Sequence, residues 1–234
     1  MLLAAAVFSS ADLYMYFSAG AQQKKAESQM RYIAETDMRT ADRQKELYRQ
    51  MKALDSRYLG WLVFEEGWIS EPVVSAEDCS WWLDHSINGA YGQFGTVFAD
   101  PSCTADSMNM TLYGHHVIDD PSLRFGRLCQ LRDPLTYEAH DTFSLWLEQE
   151  VRRYQIVYVI EYDETSGTKI PFASPVFDEE TFAEYTEYLK EHSLIDSGRD
   201  LSFGMKMMTL QTCRDMFSPV RILVIAAETD RHSF

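Results

Sequence analysis

The chain has 234 residues, of which 46% are hydrophobic and 13% are aromatic, and its formal net charge at pH 7 is -15. This length suits one good-sized domain with an appendage, and the apolar content excludes a disordered protein. The negative charge argues against nucleic acid or an anionic membrane surface as the main partner, because both are bound through Lys and Arg.

The N-terminal segment has the composition of a membrane-targeting sequence. Its first residues, MLLAAAVFSSADLYMYFSAG, form a mostly apolar run of the length that crosses a bilayer core. We therefore predict a membrane anchor or an uncleaved signal at residues 1–21. A buried amphipathic helix is the alternative interpretation of this run.

A polar stretch with a helical pattern follows the apolar segment. Leu47, Met51, Leu54 and Tyr58 recur at the spacing of one helix face, and charged residues fill the opposite face. We predict a helical linker at residues 22–59 that packs on a globular body through this face.

After Gly60 the pattern changes to short apolar runs separated by Gly, Pro, Asp and Asn, which is typical of strands in series and of a closed barrel. Two helices are predicted to interrupt the series, at Ser122–Leu131 and Asp178–His192. We predict a barrel domain at residues 60–229 and a C-terminal tail at residues 230–234. The runs are WLVF at 61–64, PVV at 72–74, TVFA at 96–99, MTLYGHH at 110–116, QIVYVIEY at 155–162, KMMTLQTC at 206–213 and RILVIAAE at 221–228.

Common motifs for cofactors and metals are absent from the sequence. It contains no phosphate loop, no GxSxG elbow, no HExxH helix and no CxxC pair. Gly89, Gly92 and Gly95 lie between strands and indicate a turn-rich loop. The adjacent His115 and His116 would point to opposite faces of a strand, so they do not predict a shared metal ion. No cofactor is predicted.

The four cysteines are at positions 79, 103, 129 and 213, too few for a disulfide scaffold in a chain of this length. The sequence leaves open whether Cys79, Cys103 and Cys129 form a disulfide bond.

Cys213 stands apart because it ends the apolar run TLQTC and is followed at once by polar residues. A cysteine at the exposed end of a strand can be reached by a substrate, and as a thiolate or beside a base it becomes a nucleophile. His115, at the end of TLYGH, is the candidate base. Arg221, at the start of the next strand, could donate to an oxyanion. From the residues alone, a packed core cysteine beside an unrelated histidine is the alternative.

Three sequence blocks resemble the signature blocks of sortases, in the same order: TLYGHH at 111–116, TLQTC at 209–213, and Arg221. The resemblance extends over about residues 45–229 and is to the class B subfamily. It includes the helix at 178–192 and further segments: GWL at 60–62, PVV at 72–74, WWLDH at 81–85, GTVFAD at 95–100 and FGRLCQL at 125–131.

The resemblance implies a mainly β fold: an eight-stranded sortase barrel with N-terminal helices and a helix between the sixth and seventh strands. It also implies a two-step transpeptidation. Cys213 would attack a threonyl carbonyl of a C-terminal sorting signal, and an amine would release the thioacyl enzyme. His115 would transfer the protons, and Arg221 would hold the signal and the oxyanion.

Further residues receive roles from the same resemblance. Leu83, Tyr113 and Thr212 match residues that line the class B substrate groove, and Asp215 is an auxiliary candidate beside the nucleophile. Cys79 stands where class B enzymes often carry an Asn, which is a departure from the pattern.

The implied partners are surface proteins with a sorting signal and an amine of a peptidoglycan precursor or of a pilin. The implied location is the cell membrane, with the catalytic domain on the extracellular face. Three alternatives remain open at this point: a pilus-assembling sortase that joins pilins through a Lys side chain, a hydrolytic cysteine peptidase of the same fold, and a catalytically idle barrel that binds a partner.

Overall fold

A closed β-barrel of eight strands forms the centre of the molecule. The computed structural model describes residues 41–214 and 218–234. The strands are β1 Tyr58–Phe64, β2 Ser70–Ser75, β3 Val97–Ala99, β4 Asn109–Tyr113, β5 Thr142–Trp146, β6 Glu150–Asp163, β7 Met207–Cys213 and β8 Val220–Ser233. Around the barrel they follow the order β1-β2-β3-β4-β7-β8-β6-β5. The predicted eight-stranded barrel is confirmed.

One helix precedes β1, and the other helical segments occupy connections between strands. The longest of them follows β6 and precedes β7, as predicted, and the side chain of Asp178 caps its start by accepting a hydrogen bond from the N–H of Thr181 at 2.7 Å. The helices are α1 Ala41–Leu54, α2 Cys79–Trp82, α3 Pro134–Ala139 and α4 Glu179–His192, with 3₁₀ helices at Glu65–Gly67 and Gly126–Arg132.

The side chains of β7 point alternately to the inside and to the outside of the barrel, and the two faces differ in their surroundings. Met208 and Leu210 belong to the main core inside the barrel, whereas Gln211 and Cys213 point to the outer face because side chains alternate along a strand. Farther from the strand end, α4 covers this outer face and forms a second core with β6, β7 and β8. The uncovered end of β7, at Cys213, is therefore the part of the wall that a ligand can reach.

Helix α1 packs on the barrel through a shorter stripe than predicted. Leu47 and Met51 are buried, but Leu54 is exposed and Tyr58 begins β1. The chain turns between them because the carboxylate of Asp55 accepts the N–H of the residue two positions on, as in an Asx turn. The prediction that Leu54 and Tyr58 share one helix face with Leu47 and Met51 is therefore wrong. Residues 22–40 of the predicted linker lie outside the described residues.

Two further details differ from the sequence prediction. The prediction of a continuous helix at Ser122–Leu131 is wrong. Arg124 has φ 52°, and an L-residue with a left-handed backbone conformation breaks a right-handed helix. A short 3₁₀ helix, Gly126–Arg132, forms instead. Strand β5 was not predicted, because its segment TFSLW is short and only two of its five residues are fully buried.

The predicted membrane localisation is corrected by the structure. Across residues 41–214 and 218–234, no helix has both the length and the apolar character needed to cross a membrane. The predicted anchor at residues 1–21 lies outside the described residues.

The contact of α4 with the barrel can be tested by one truncation. Leu189 is fully buried in the second core, so Leu189→Ala should lower the free energy of unfolding by about 2–5 kcal/mol. Glu187→Ala, on the exposed face of the same helix, should change it by less than about 0.5 kcal/mol. Urea unfolding of both variants measures the difference, and equal effects would contradict the packing described here.

Candidate active site

The thiol of Cys213 and the guanidinium of Arg221 meet at the end of two paired strands. Cys213 is the last residue of β7, and its Cα partner in β8 is Arg221. Residues directly opposite each other in an antiparallel pair project to the same face. The Nη1 of Arg221 accordingly donates a hydrogen bond to the Sγ of Cys213 at 3.2 Å.

Two further oxygen atoms hold the same guanidinium. Its Nη2 forms an ion pair with the Oε2 of Glu164 at 2.7 Å, and its Nη1 also donates to the carbonyl of Ser218 at 3.3 Å. Glu164 follows directly after the end of β6. The guanidinium therefore sits between a carboxylate, a carbonyl and the thiol, with its Nη1 aimed at the sulfur.

His115 lies two residues beyond the end of β4. Its ring Nε2 is 2.7 Å from the carbonyl oxygen of Leu83. Because a carbonyl only accepts hydrogen bonds, Nε2 carries the proton in this contact, and Nδ1 is the ring nitrogen left to exchange protons. No hydrogen bond joins His115 to Cys213 in the part of the chain that the structure describes; the two side chains share a pocket.

That pocket has a volume of about 400 Å³ and combines apolar walls with the polar groups described above. It brings together all three predicted catalytic residues, and Leu83 and Tyr113 of the predicted groove residues. Its lining is Cys79, Leu83, Phe98, Tyr113, Gly114, His115, Glu164, Gln211, Cys213 and Arg221.

Tyr113 presents its ring to the pocket rather than an ionisable group. Its hydroxyl donates to the Oδ2 of Asp100 at 2.8 Å. Burial and this hydrogen bond raise the pKa of Tyr113 well above its usual value, so the phenol stays neutral.

Thr212, the third predicted groove residue, is not in this pocket. Thr212 is only 1% exposed and lies on the inward face of β7, and its buried hydroxyl has no hydrogen-bond partner among the residues that the structure describes. The predicted contact of its side chain with a substrate does not fit this placement, because a one-residue step along a strand reverses the face. Asp215 lies outside the described residues.

His116 points away from His115 and lies near a different thiol. Its Nδ1 is 3.7 Å from the Sγ of Cys129, which also contacts the carbonyl oxygen of Cys213 at 3.6 Å. All four cysteines are free thiols. Within the described ranges, no group of three or more His, Cys, Asp and Glu side chains could hold a metal ion.

Sequence reasoning missed two contacts of the site. Glu164 reaches Arg221 because β6 pairs with β8 so that Tyr162 lies opposite Arg221, and the sequence carries no signal for this register. The acceptor of the His115 ring is the backbone carbonyl of Leu83. Every residue has such a carbonyl, so the sequence could not indicate this contact.

The chain is similar to two curated proteins named sortase B. It is 27% identical to the Listeria monocytogenes protein over 168 residues, which cover 70% of this chain and 66% of that protein. It is 23% identical to the Staphylococcus aureus protein over 184 residues, or 76% of this chain and 73% of that protein. The match thus spans just under two thirds of the Listeria relative. No protein-family model matches the chain.

Solved sortase B structures share the fold. A mutant form of Clostridium perfringens sortase B has a TM-score of 0.76 at 23% identity, covering 87% of this chain and 96% of that chain. A Staphylococcus aureus sortase B–substrate complex has a TM-score of 0.75 at 18% identity, covering 90% and 98%. A structure of sortase B complexed with triglycine has a TM-score of 0.75 at 20% identity, covering 90% and 96%. At these identities the structural likeness establishes the fold.

The relatives and the fold agree with the resemblance in the sequence. The predicted resemblance to class B sortases is confirmed by these relatives and structures, and the relatives support the predicted class of enzyme, a cysteine transpeptidase.

The thiol of Cys79, which also lines the pocket, should react slowly with alkylating reagents at neutral pH. Burial, together with the carboxylates of Asp100 and Asp78, raises the pKa of Cys79, and the thiolate is the form that reacts. In the Cys213→Ala variant, iodoacetamide should therefore label Cys79 slowly at neutral pH, and the rate should rise above the ordinary thiol pKa of about 8.5. Peptide mass spectrometry measures the rate, with Cys79→Ser added as the background control. Rapid labelling of Cys79 at neutral pH would contradict this assignment.

Proposed function

We propose that this chain, a cysteine transpeptidase of the class B sortase type, cleaves a C-terminal sorting signal after a threonine and joins the protein to an amine of a cell-wall precursor. The observation that carries the proposal is the hydrogen bond from Arg221 to Cys213 in a pocket that also contains His115. Nucleophile, oxyanion donor and proton carrier are the three groups that acyl transfer requires.

In the first step, the proton of the Cys213 thiol passes to the Nδ1 of His115, and the resulting thiolate Sγ attacks the threonyl carbonyl carbon and forms a C–S bond. The carbonyl oxygen becomes an oxyanion, which the Nη1 of Arg221 stabilises from its position 3.2 Å from the sulfur. The C–N bond then breaks, and His115 donates a proton to the departing amine. A thioester on Cys213 and a free amine are the products of this step.

In the second step, an acceptor amine attacks the thioester carbonyl. His115 takes the proton that the amine loses, the C–S bond breaks, and the thiolate of Cys213 is regenerated with a new amide bond as product. Nδ1 is the proton-carrying atom in both steps, because Nε2 is engaged with the Leu83 carbonyl.

The pocket suits an extended peptide as substrate. Leu83, Phe98 and Tyr113 supply an apolar surface beside Cys213, and Leu83 is 45% exposed. Two similar structures are described as a sortase B–substrate complex and as sortase B with triglycine, an amine-bearing peptide. These descriptions support a sorting-signal protein and an amine acceptor as the partners of this chain.

The central test is a peptide-cleavage assay with a library of threonine-containing sorting peptides. Cys213→Ala should lower turnover by about four orders of magnitude or more, because the covalent step is lost. Cys103→Ala is the matched control, since this thiol lies outside the pocket and bonds to the Asn109 carbonyl. Turnover that survives Cys213→Ala would overturn the proposed mechanism.

The acceptor is tested in the same assay by varying the amine. Triglycine should raise product formation and appear in the product by mass. Preference for a lysine-bearing peptide would instead favour pilus assembly, and cleavage that needs no amine would favour a hydrolytic peptidase. Absence of any turnover with the whole library would favour an idle binding barrel.

Glu164 should support catalysis by holding Arg221. Glu164→Gln removes the ion pair to Nη2 and should lower kcat/KM about tenfold, the equivalent of one charged hydrogen bond of about 1.4 kcal/mol. Glu161→Gln is the control, because Glu161 lies near the end of β6, the strand that Glu164 follows, and pairs with Arg132 and Arg214. Equal kcat/KM values for the two variants, or a gain in Glu164→Gln, would rule out this role.

A further inference from the structure

We propose that Gly95 and a buried ion pair between Glu71 and Arg124 position the ring of His115 by fixing the carbonyl of Leu83. None of these three residues lines the pocket, so they are positioning residues and act through His115. The catalytic consequence rests on the proposed function, whereas the orientation of the ring can be tested without it.

The ion pair is fully enclosed. Arg124 is 2% exposed and Glu71 is 0% exposed. The Oε2 of Glu71 accepts from the Nη1 of Arg124 at 2.5 Å, and its Oε1 accepts from the backbone N–H of Arg124 at 2.7 Å. Buried charges are tolerated only where further hydrogen bonds satisfy them, so the remaining donors of Arg124 show what the pair holds in place.

Those donors are directed at the backbone of the loop before β3. The Nε of Arg124 lies 3.1 Å from the carbonyl oxygen of Phe94 and 2.9 Å from that of Gly95, and its Nη2 lies 2.6 Å from the Gly95 oxygen. The charged side chain therefore fixes the position of the Gly95 peptide group from inside the molecule.

Gly95 in turn lies directly against the end of α2. Its φ is +57°, and a Cβ at this position would lie 2.7 Å from the Leu83 carbonyl oxygen and 2.3 Å from that of Trp82. The next N–H along the chain, from Thr96, donates to the Trp82 carbonyl at 2.9 Å. Only glycine permits this approach, and the approach determines where the Leu83 carbonyl points.

The Leu83 carbonyl is the group that accepts from the Nε2 of His115 at 2.7 Å. The loop of Arg124 also holds the backbone of the same histidine, since the N–H of Phe125 donates to the His115 carbonyl at 3.1 Å. The buried pair thus supports His115 twice, once through the ring acceptor and once through the main chain. If the Leu83 carbonyl or the main chain of His115 moved, the ring would turn and its Nδ1 would point in a different direction in the pocket.

Two glycine substitutions in one loop distinguish the positioning of the Leu83 carbonyl from the backbone strain that any alanine at positive φ causes. Gly95→Ala should displace the Leu83 carbonyl, whereas Gly89→Ala is the matched control: its φ is +76° and a Cβ there would meet nothing within 4 Å. Both variants carry an alanine at positive φ, but only one disturbs the acceptor of His115.

The direct readout is the tautomer of the His115 ring, measured by long-range ¹⁵N–¹H correlation spectra. The unmodified protein and Gly89→Ala should show the proton on Nε2, and Gly95→Ala should show a mixture of tautomers. In the transpeptidation assay, kcat of Gly95→Ala should fall by roughly 10- to 100-fold relative to Gly89→Ala, with KM within about twofold. An unchanged tautomer in folded Gly95→Ala, or equal kcat values in the two variants, would overturn the proposal.

A second variant covers the case in which Gly95→Ala does not fold, as judged by circular dichroism. Glu71→Gln keeps an oxygen that can accept the Arg124 N–H and removes the charge. It should change the His115 tautomer in the same direction, and an unchanged ring would again overturn the proposal. If the tautomer changes while no variant and no peptide gives turnover, the positioning role stands and the proposed function fails.

Discussion

The antiparallel pairing of β7 with β8 brings the thiol of Cys213 and the guanidinium of Arg221 together. Cys213 and Arg221 are Cα partners at the end of this pair, and in such pairs the opposing Cβ atoms are about 4.5–5.5 Å apart on one face. The thiol and the guanidinium therefore meet without help from a flexible segment, and the barrel that continues from these strands keeps them together. Glu164 joins the same arrangement from β6, on the other side of β8.

The same pairing determines which residues cannot take part. Thr212 is adjacent to Cys213 in the sequence, yet it points into the core with Met208 and Leu210. On the outer face, α4 covers β7 near Met207 and leaves its last residues open. Strand alternation and this one helix thus restrict the accessible outer part of β7 to Gln211 and Cys213.

Sequence patterns predicted the parts of the molecule that depend on local order. The apolar runs located seven of the eight strands, and the capped helix after β6 had its own signal at Asp178. Cys213 and Arg221 could be predicted because each stands at the end of a run. The burial of Thr212 was missed because a family motif records order along the chain and not the face to which a residue points. The contact between Glu164 and Arg221 depends on the register of distant strands, which one sequence does not reveal.

His115 poses a different structural problem from Cys213, because it lies beyond β4 and no strand partner fixes its side chain. A loop residue needs another source of rigidity, and here it is a backbone acceptor backed by a buried charge. Arg124 adopts a left-handed conformation that ends any regular helix in this loop, and the same conformation places its N–H and its side chain on Glu71 together. The departure from helical structure and the proposed support of His115 are therefore two results of one local geometry. In the proposed positioning role, this ion pair, which costs desolvation energy wherever it is buried, gives the loop of His115 the order that strand pairing gives to Cys213 and Arg221.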